Sequence, residues 1–301
     1  MKQYLVIDIG GTAIKYALMN QEATIISQDE TSTPYIDKAH FFKTLDGIIA
    51  PVQKIISGIA ISMPGRLDPI KGYAFTSGAI MYLNETPIKD ILEERYHLPV
   101  SVDNDGKCAA QAEAWKGNLS DVNSGIVIIL GTGIGGGVIL NHELWRGTHG
   151  TAGELSSLTS DFTQHHCIEK RWTILNSYGG LTMPYAKLKQ LPEKEVTGRS
   201  FFRALENSDE DAKQVFKNFI HTLTSGIITI QAVLDIDKVC IGGGISAQDS
   251  LIEATRECVK KYFTTTGSRY AVREPLIGRC RFKNEANLIG ALKHFLIQHN
   301  I

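Results

Sequence analysis

The chain carries one short design twice, and that repetition limits what it can fold into more than any other feature. Tyr4-Leu5-Val6-Ile7-Asp8-Ile9 is apolar and β-branched, Gly10-Gly11-Thr12 interrupts it, and Ala13-Ile14-Lys15-Tyr16-Ala17-Leu18 resumes it before Asn20. The same order returns as Ile126-Val127-Ile128-Ile129-Leu130, then Gly131-Thr132-Gly133-Ile134-Gly135-Gly136-Gly137, then Val138-Ile139-Leu140 and Asn141. Each segment predicts a β-hairpin closed by a glycine turn, and laying Gly10 on Gly131 predicts two similar halves.

Downstream of each hairpin, strand and helix patterns alternate. In the first half 58–63 and 99–102 read as strands and 88–96 and 107–115 as helices; in the second, 212–234 and 250–263 carry helical spacing around a short strand at 238–241. This predicts an α/β fold with parallel components. The polar stretch Lys116-Gly117-Asn118-Leu119-Ser120-Asp121 marks the expected boundary between an N-terminal domain, 1–117, and a larger one, 118–284, with the closing helix within 285–301 joining the first.

Charge narrows the function classes. With 31 Lys+Arg against 32 Asp+Glu, the net charge of -1 offers no global attraction for nucleic acid or an anionic membrane. No apolar run reaches the roughly 18 residues that span a bilayer, and no signal-peptide pattern precedes Tyr4, so a cytoplasmic protein is expected. Cys108, Cys167, Cys240, Cys258 and Cys280 contain no C-x-x-C pair and suggest neither a disulfide framework nor a thiolate zinc site.

Gly10-Gly11-Thr12, Gly131-Thr132-Gly133 and Gly242-Gly243-Gly244 each end an apolar strand. Backbone N–H groups free of side chains can cradle phosphate, although any one of these is equally an ordinary tight turn. Gly131 to Gly136 also spells G-x-G-x-x-G, but an apolar strand comes after it, not a helix, so the dinucleotide-fold reading fails its context. No G-x-x-x-x-G-K-[ST] occurs. Asp8, before the first glycines, is either a strand-end residue or a carboxylate that holds Mg²⁺ through water, and Lys15 is either an exposed strand lysine or a neutraliser of phosphate charge.

Asp103-Asn104-Asp105 leads from a strand into a helix. Asp105 reads as a helix cap or, at the C-terminal edge of a parallel strand, as a base for a substrate hydroxyl. Glu154, in Gly153-Glu154-Leu155, reads as a solvated loop residue or as an acceptor for adjacent sugar hydroxyls. His165-His166-Cys167 lacks tetrahedral ligand spacing, and no zinc is expected there.

In order, Asp8-Ile9-Gly10-Gly11-Thr12, Ser62-Met63-Pro64-Gly65-Arg66-Leu67-Asp68, Asn104-Asp105, Gly131 to Gly137, Ala152-Gly153-Glu154 and Ile241-Gly242-Gly243-Gly244-Ile245-Ser246 resemble the ROK family of sugar kinases and repressors across nearly the whole chain. The resemblance implies the actin-like ATPase (ribonuclease H-like) fold, two α/β domains with an interdomain cleft, ATP and Mg²⁺ as cofactors, and commonly a homodimer. It makes Asp105 the base for a sugar 6-hydroxyl, with Gly65, Asn104 and Glu154 as sugar contacts. Gly10, Gly11, Thr12 and Lys15 fall on the first phosphate loop, Gly131, Thr132 and Gly133 on the second, Gly243 and Gly244 on the adenosine side, and Asp8 on the Mg²⁺ side.

Two departures stand out. The family's histidine after the glutamate and its CxCGxxGC zinc motif are missing, since Leu155-Ser156-Ser157 comes directly after Glu154, so no structural zinc is expected. A further sugar-contacting glutamate falls on Glu169 or on Thr173, the latter if Asn176-Ser177-Tyr178-Gly179 anchors the alignment, which predicts an altered sugar pocket. The zinc-free pattern resembles glucokinase-like, N-acetylmannosamine kinase-like and β-glucoside kinase-like members. A repressor would need a helix-turn-helix ahead of Tyr4, where no such segment stands; a non-catalytic sugar-binding regulator is the alternative to a kinase.

Overall fold

The computed structural model describes residues 2–164, 166–266 and 271–301. Strands are β1 (Gln3–Ile9), β2 (Ala13–Asn20), β3 (Ile25–Ser32), β4 (Ile59–Met63), β5 (Leu67–Asp68), β6 (Tyr73–Ala74), β7 (Thr86–Pro87), β8 (Val100–Asn104), β9 (Gly125–Leu130), β10 (Ile134–Leu140), β11 (Glu143–Trp145), β12 (Lys238–Gly242) and β13 (Leu276–Arg279). Helices are α1 (Lys38–Ile49), α2 (Ile88–Tyr96), α3 (Asp105–Lys116), α4 (Trp172–Leu175), α5 (Tyr178–Lys189), α6 (Gly198–Glu206), α7 (Glu210–Leu234), α8 (Asp249–Thr266) and α9 (Ala286–Gln298). None of them is long and apolar enough to cross a membrane. Two compact units form, one from Met1–Ser120, Glu143–Ala152 and Phe282–Ile301, the other from Asp121–His142 and Gly153–Arg281.

In the first unit the sheet runs β3-β2-β1-β4-β8, with β1, β4 and β8 parallel and the β1–β2–β3 meander antiparallel. Side chains alternate between faces. Leu5, Ile7 and Ile9 therefore enter one apolar cluster, with Phe41, Leu45, Ile88 and Leu92 of α1 and α2. Tyr4 and Val6 enter another, with Cys108 and Ala112 of α3 and Leu288, Leu292 and Phe295 of α9. α3 is buried on most of its circumference, with the small Gly106, Cys108, Ala109, Ala110 and Ala112 leaving room beside the buried Lys107, Gln111 and Glu113. A Cβ on Gly290 would stand 1.7 Å from the Cys108 carbonyl oxygen, so α9 lies directly against the α3 backbone.

The second unit repeats the pattern. β9 and β10 form the antiparallel hairpin, β12 joins β9 in parallel and β13 joins β12. Ile126, Ile128 and Leu130 face a core with Phe219, Leu223 and Ile227 of the 25-residue α7, whose N-cap Asp209 accepts a hydrogen bond from the Ala212 amide. One expectation needs correction here. Only Gly131 to Gly133 turn; Ile134-Gly135-Gly136-Gly137 are already strand, and a Cβ on Gly136 would meet the Val127 carbonyl at 2.3 Å. Those glycines serve close strand approach, and the turn of the second hairpin is Gly131 to Gly133, not the whole run to Gly137.

If α9 lies on α3 as tightly as this, Gly290→Ala should cost about 1 to 3 kcal/mol, as overpacking does, and lower the melting temperature by several degrees. A thermal melt at unchanged temperature would show that the two helices are looser than this.

Candidate active site

A row of polar residues crosses the first sheet on its α3–α9 face. Glu30 pairs with Lys15, Lys15 with Asp8, Asp8 with Ser62 and Ser62 with Asp103, one residue from each of the five strands. Two residues earlier the same face is Val6, Ala17, Ala60 and Ser101. The change from uncharged residues to a row with four charged ones falls at the C-terminal ends of the parallel strands, where open α/β sheets bind ligands.

Asp8 accepts from Ser62 Oγ at 2.9 Å and from Asn287 Nδ2 of α9 at 3.1 and 3.3 Å. Burial pushes its carboxyl up to about 6, the Asp105 charge adds to that push, and the two neutral donors and Lys15 offset part of it. Beyond Asp8 the glycine turn is tied down. Gly10 donates its amide to the Ala13 carbonyl at 3.0 Å, Thr33 Oγ1 donates to the Gly10 carbonyl at 2.6 Å, and the Tyr35 hydroxyl donates to that of Gly11. Thr12 is exposed at its tip.

At the end of β8, Asn104 has two structural duties. Its Oδ1 caps α3 by accepting from the Lys107 amide at 3.1 Å, and its Nδ2 donates to the Gly65 carbonyl at 3.0 Å. Gly65 has φ +111°, and a Cβ there would lie 2.0 Å from the Thr76 carbonyl oxygen, so the turn requires glycine. The cap is therefore Asn104; Asp105 occupies the first helical position, half-buried, its Oδ1 accepting from the Gly106 amide at 2.8 Å. Asp8, Lys15, the Gly10–Thr12 turn, Gly65, Asn104 and Asp105 all belong to the first unit.

The remaining candidates belong to the second unit. Gly131 closes its turn through its amide to the Gly133 carbonyl at 3.0 Å and accepts from the Tyr178 amide at 2.7 Å, leaving Thr132 and Gly133 exposed. Thr173 Oγ1 lies 3.5 Å from where a Cβ on Gly133 would stand, so Thr173 adjoins this turn. Gly243, at φ +86°, lies against the end of β9, where a Cβ would come within 2.2 Å of the Leu130 carbonyl oxygen, and Gly244 has open space around it. Glu154 is exposed before a short 3-10 turn. Glu169, the other position weighed for a sugar contact, is exposed and accepts from Cys167 Sγ at 2.9 Å. His165 lies outside the described residues, among which no group of three or more His, Cys, Asp or Glu is placed to hold a metal ion.

Sequence reading missed Ser62, Asn287, Asp103, Arg146 and His294. Register alone could have supplied Ser62 and Asp103, which stand in line with Asp8, one and two strands away, once β1, β4 and β8 are known to run parallel in that order. Asn287 and His294 carry no local signal, because α9 reaches this face from nearly 280 positions along the chain.

The sequence model of the ROK family matches residues 4–297, and the chain belongs to that family. The beta-glucoside kinase of Listeria monocytogenes is 29% identical over 97% of both chains. A ROK family protein from Streptococcus pneumoniae, solved with sucrose, superposes with a TM-score of 0.89 at 26% identity over 99% of each chain. The ROK hexokinase of Thermus thermophilus superposes with 0.85 at 25% identity, again over 99% of each. The architecture is the actin-like ATPase fold of these proteins.

Asp8 yields a pH dependence. Its folded value, about 6, lies above the ordinary 3.8, so between those values the folded state holds a proton that the unfolded chain releases. Stability is full below the lower value and lost as pH rises through the upper one. Against wild type, unliganded Asp8→Asn should gain about 2 kcal/mol on going from about pH 4 to about pH 7. Denaturant melts of both proteins across that range check it, and parallel curves would mean that the carboxyl titrates normally.

Proposed function

We propose that this protein transfers the γ-phosphoryl group of ATP to the 6-hydroxyl of a hexose, an N-acylhexosamine such as N-acetylmannosamine, or a β-glucoside. It is a carbohydrate kinase of the ROK family. The observation that carries the finer reading is Asp105, a carboxylate at the C-terminal edge of β8, next to the Asn104–Gly65 link and acting electrostatically on Asp8.

In this reading Asp105 accepts the proton of the sugar hydroxyl as that oxygen bonds to the γ-phosphorus and the bond to the β–γ bridging oxygen breaks, releasing ADP. Gly65, Asn104, Glu154 and Thr173 orient the sugar; Gly10, Gly11, Thr12 and Lys15, with Gly131, Thr132 and Gly133, hold phosphate; Gly243 and Gly244 border the adenosine. Asp8 suits Mg²⁺ held through water, because its largely buried carboxylate is compensated by neutral donors and Lys15 and still stays raised, and additional positive charge is what such a site lacks. Mg²⁺ would neutralise charge on the transferring phosphate. A cytoplasmic homodimer without structural zinc completes the proposal.

ADP release with Mg-ATP is to be measured over glucose, mannose, N-acetylmannosamine, N-acetylglucosamine, fructose, cellobiose and gentiobiose. Turnover is expected on one of these classes, and Asp105→Asn should lower it by roughly 10² to 10⁴-fold while sugar binding, read by calorimetry, persists. Sugar binding with no turnover by the wild type would make the protein a non-catalytic regulator; near-normal turnover by Asp105→Asn would remove the base.

A further inference from the structure

Arg146 and Asp103 form a pair that none of the roles above uses. Arg146 Nη1 donates to Asp103 Oδ1 at 2.9 Å and Nη2 to Oδ2 at 2.7 Å, the two-pronged geometry of guanidinium on carboxylate. The Asp103 side chain is 2% exposed and that of Arg146 26%. Asp103 Oδ1 also accepts from the Asn104 amide at 2.9 Å, and His294 Nδ1 of α9 lies 3.2 Å from Arg146 Nη2. Desolvation cancels much of what a buried pair gains in attraction, so stability alone is a weak reason for it. What a two-pronged pair adds is fixed orientation.

The orientation it fixes is that of two backbone stretches. One is the end of β8, where Asp103 is succeeded at once by Asn104 and Asp105. The other is the loop from Arg146, whose carbonyl accepts from the Ala152 amide at 3.0 Å, with Gly147 and Gly150 at φ +69° and +73°. At Gly150 this loop runs beside β5: a Cβ there would lie 3.8 Å from the Leu67 carbonyl oxygen, two residues past Gly65. Gly65 is in turn bound by Asn104 Nδ2. Arg146, Asp103, Asn104 and the Gly65 turn are thus linked in series, and the loop from Arg146 runs beside β5 close to that turn.

We infer that Arg146 and Asp103 are positioning residues for the phosphoryl acceptor: the guanidinium holds Asn104 and Asp105 in place relative to the Gly65 turn and the 146–152 loop. The inference rests on the kinase reading. A base displaced by even about 1 Å loses roughly 10²-fold in rate, so a pair that touches no substrate can still govern turnover.

Arg146→Lys keeps the charge and loses the fork. It should fold, melting within a few degrees of wild type, yet lose roughly 10-fold or more in kcat/KM for the sugar while KM for ATP stays within about twofold. Hydrogen exchange on the unliganded protein reads the pair without any activity, and the amides of 104–106 should lose protection in the variant. Wild-type kinetics and unchanged protection in Arg146→Lys would overturn the inference, as would a rise in KM for ATP as large as the loss toward the sugar, which a merely structural role produces. Should Arg146→Lys not fold, Asp103→Asn, which keeps one acceptor, answers by the same two readouts. A wild-type protein inactive on every sugar would instead overturn the kinase reading, and the exchange result would still decide the pair.

Discussion

Two carboxylates in one row of a five-stranded sheet, Asp103 buried and Asp8 largely so, are the constraint around which the first unit is arranged. An ionised carboxylate out of water is costly unless paired, and the two are treated differently. For Asp103, burial alone would raise the carboxyl, but the hydrogen bonds and charge of Arg146, with His294 nearby, bring it below the usual range. Asp8 receives an amide and a hydroxyl, with the Lys15 charge a smaller help, and its carboxyl stays raised. The neutralised carboxylate orders backbone; the under-compensated one keeps a demand for positive charge that a ligand can meet.

The repeated hairpin makes the same point by contrast. In the second sheet Ile129 stands at the place of Asp8, and it packs so closely on Gly242 that a Cβ there would come within 2.7 Å of Ile129 Cδ1. One copy of the design keeps a polar row and the other fills the position with hydrocarbon. Two sheets of like connection thus carry different chemistry, because the same strand-end position holds a carboxylate in one and hydrocarbon in the other.

Much of the fold was legible because periodicity and glycine carry it: both hairpins, helix 88–96 and the long α7 can be read from apolar spacing and local breakers. The strand β3 was not, since Ile26-Ser27-Gln28-Asp29-Glu30 on an exposed edge is polar on both faces. Of the candidate site, residues next to glycine turns or helix starts were legible, Asp8 and Asp105 among them. Asn287, His294 and the role of Arg146 were not, because each acts across a long separation, and only the register of β1, β4 and β8 and the approach of α9 bring them to their carboxylates.

That dependence on α9 has a consequence for how the site comes into being. One helix supplies Asn287 to Asp8, Gly290 to the α3 backbone and His294 to the Arg146–Asp103 pair, at successive turns of a single face. Without it Asp8 would lose its amide donor, α3 its close neighbour, and the sheet face that holds Tyr4 and Val6 its apolar cover. Contacts of such sequence separation carry the entropy of closing the intervening chain, which local contacts do not. The first unit therefore begins at β1 but is complete only with α9, and the environment of its carboxylates depends on both ends of the chain.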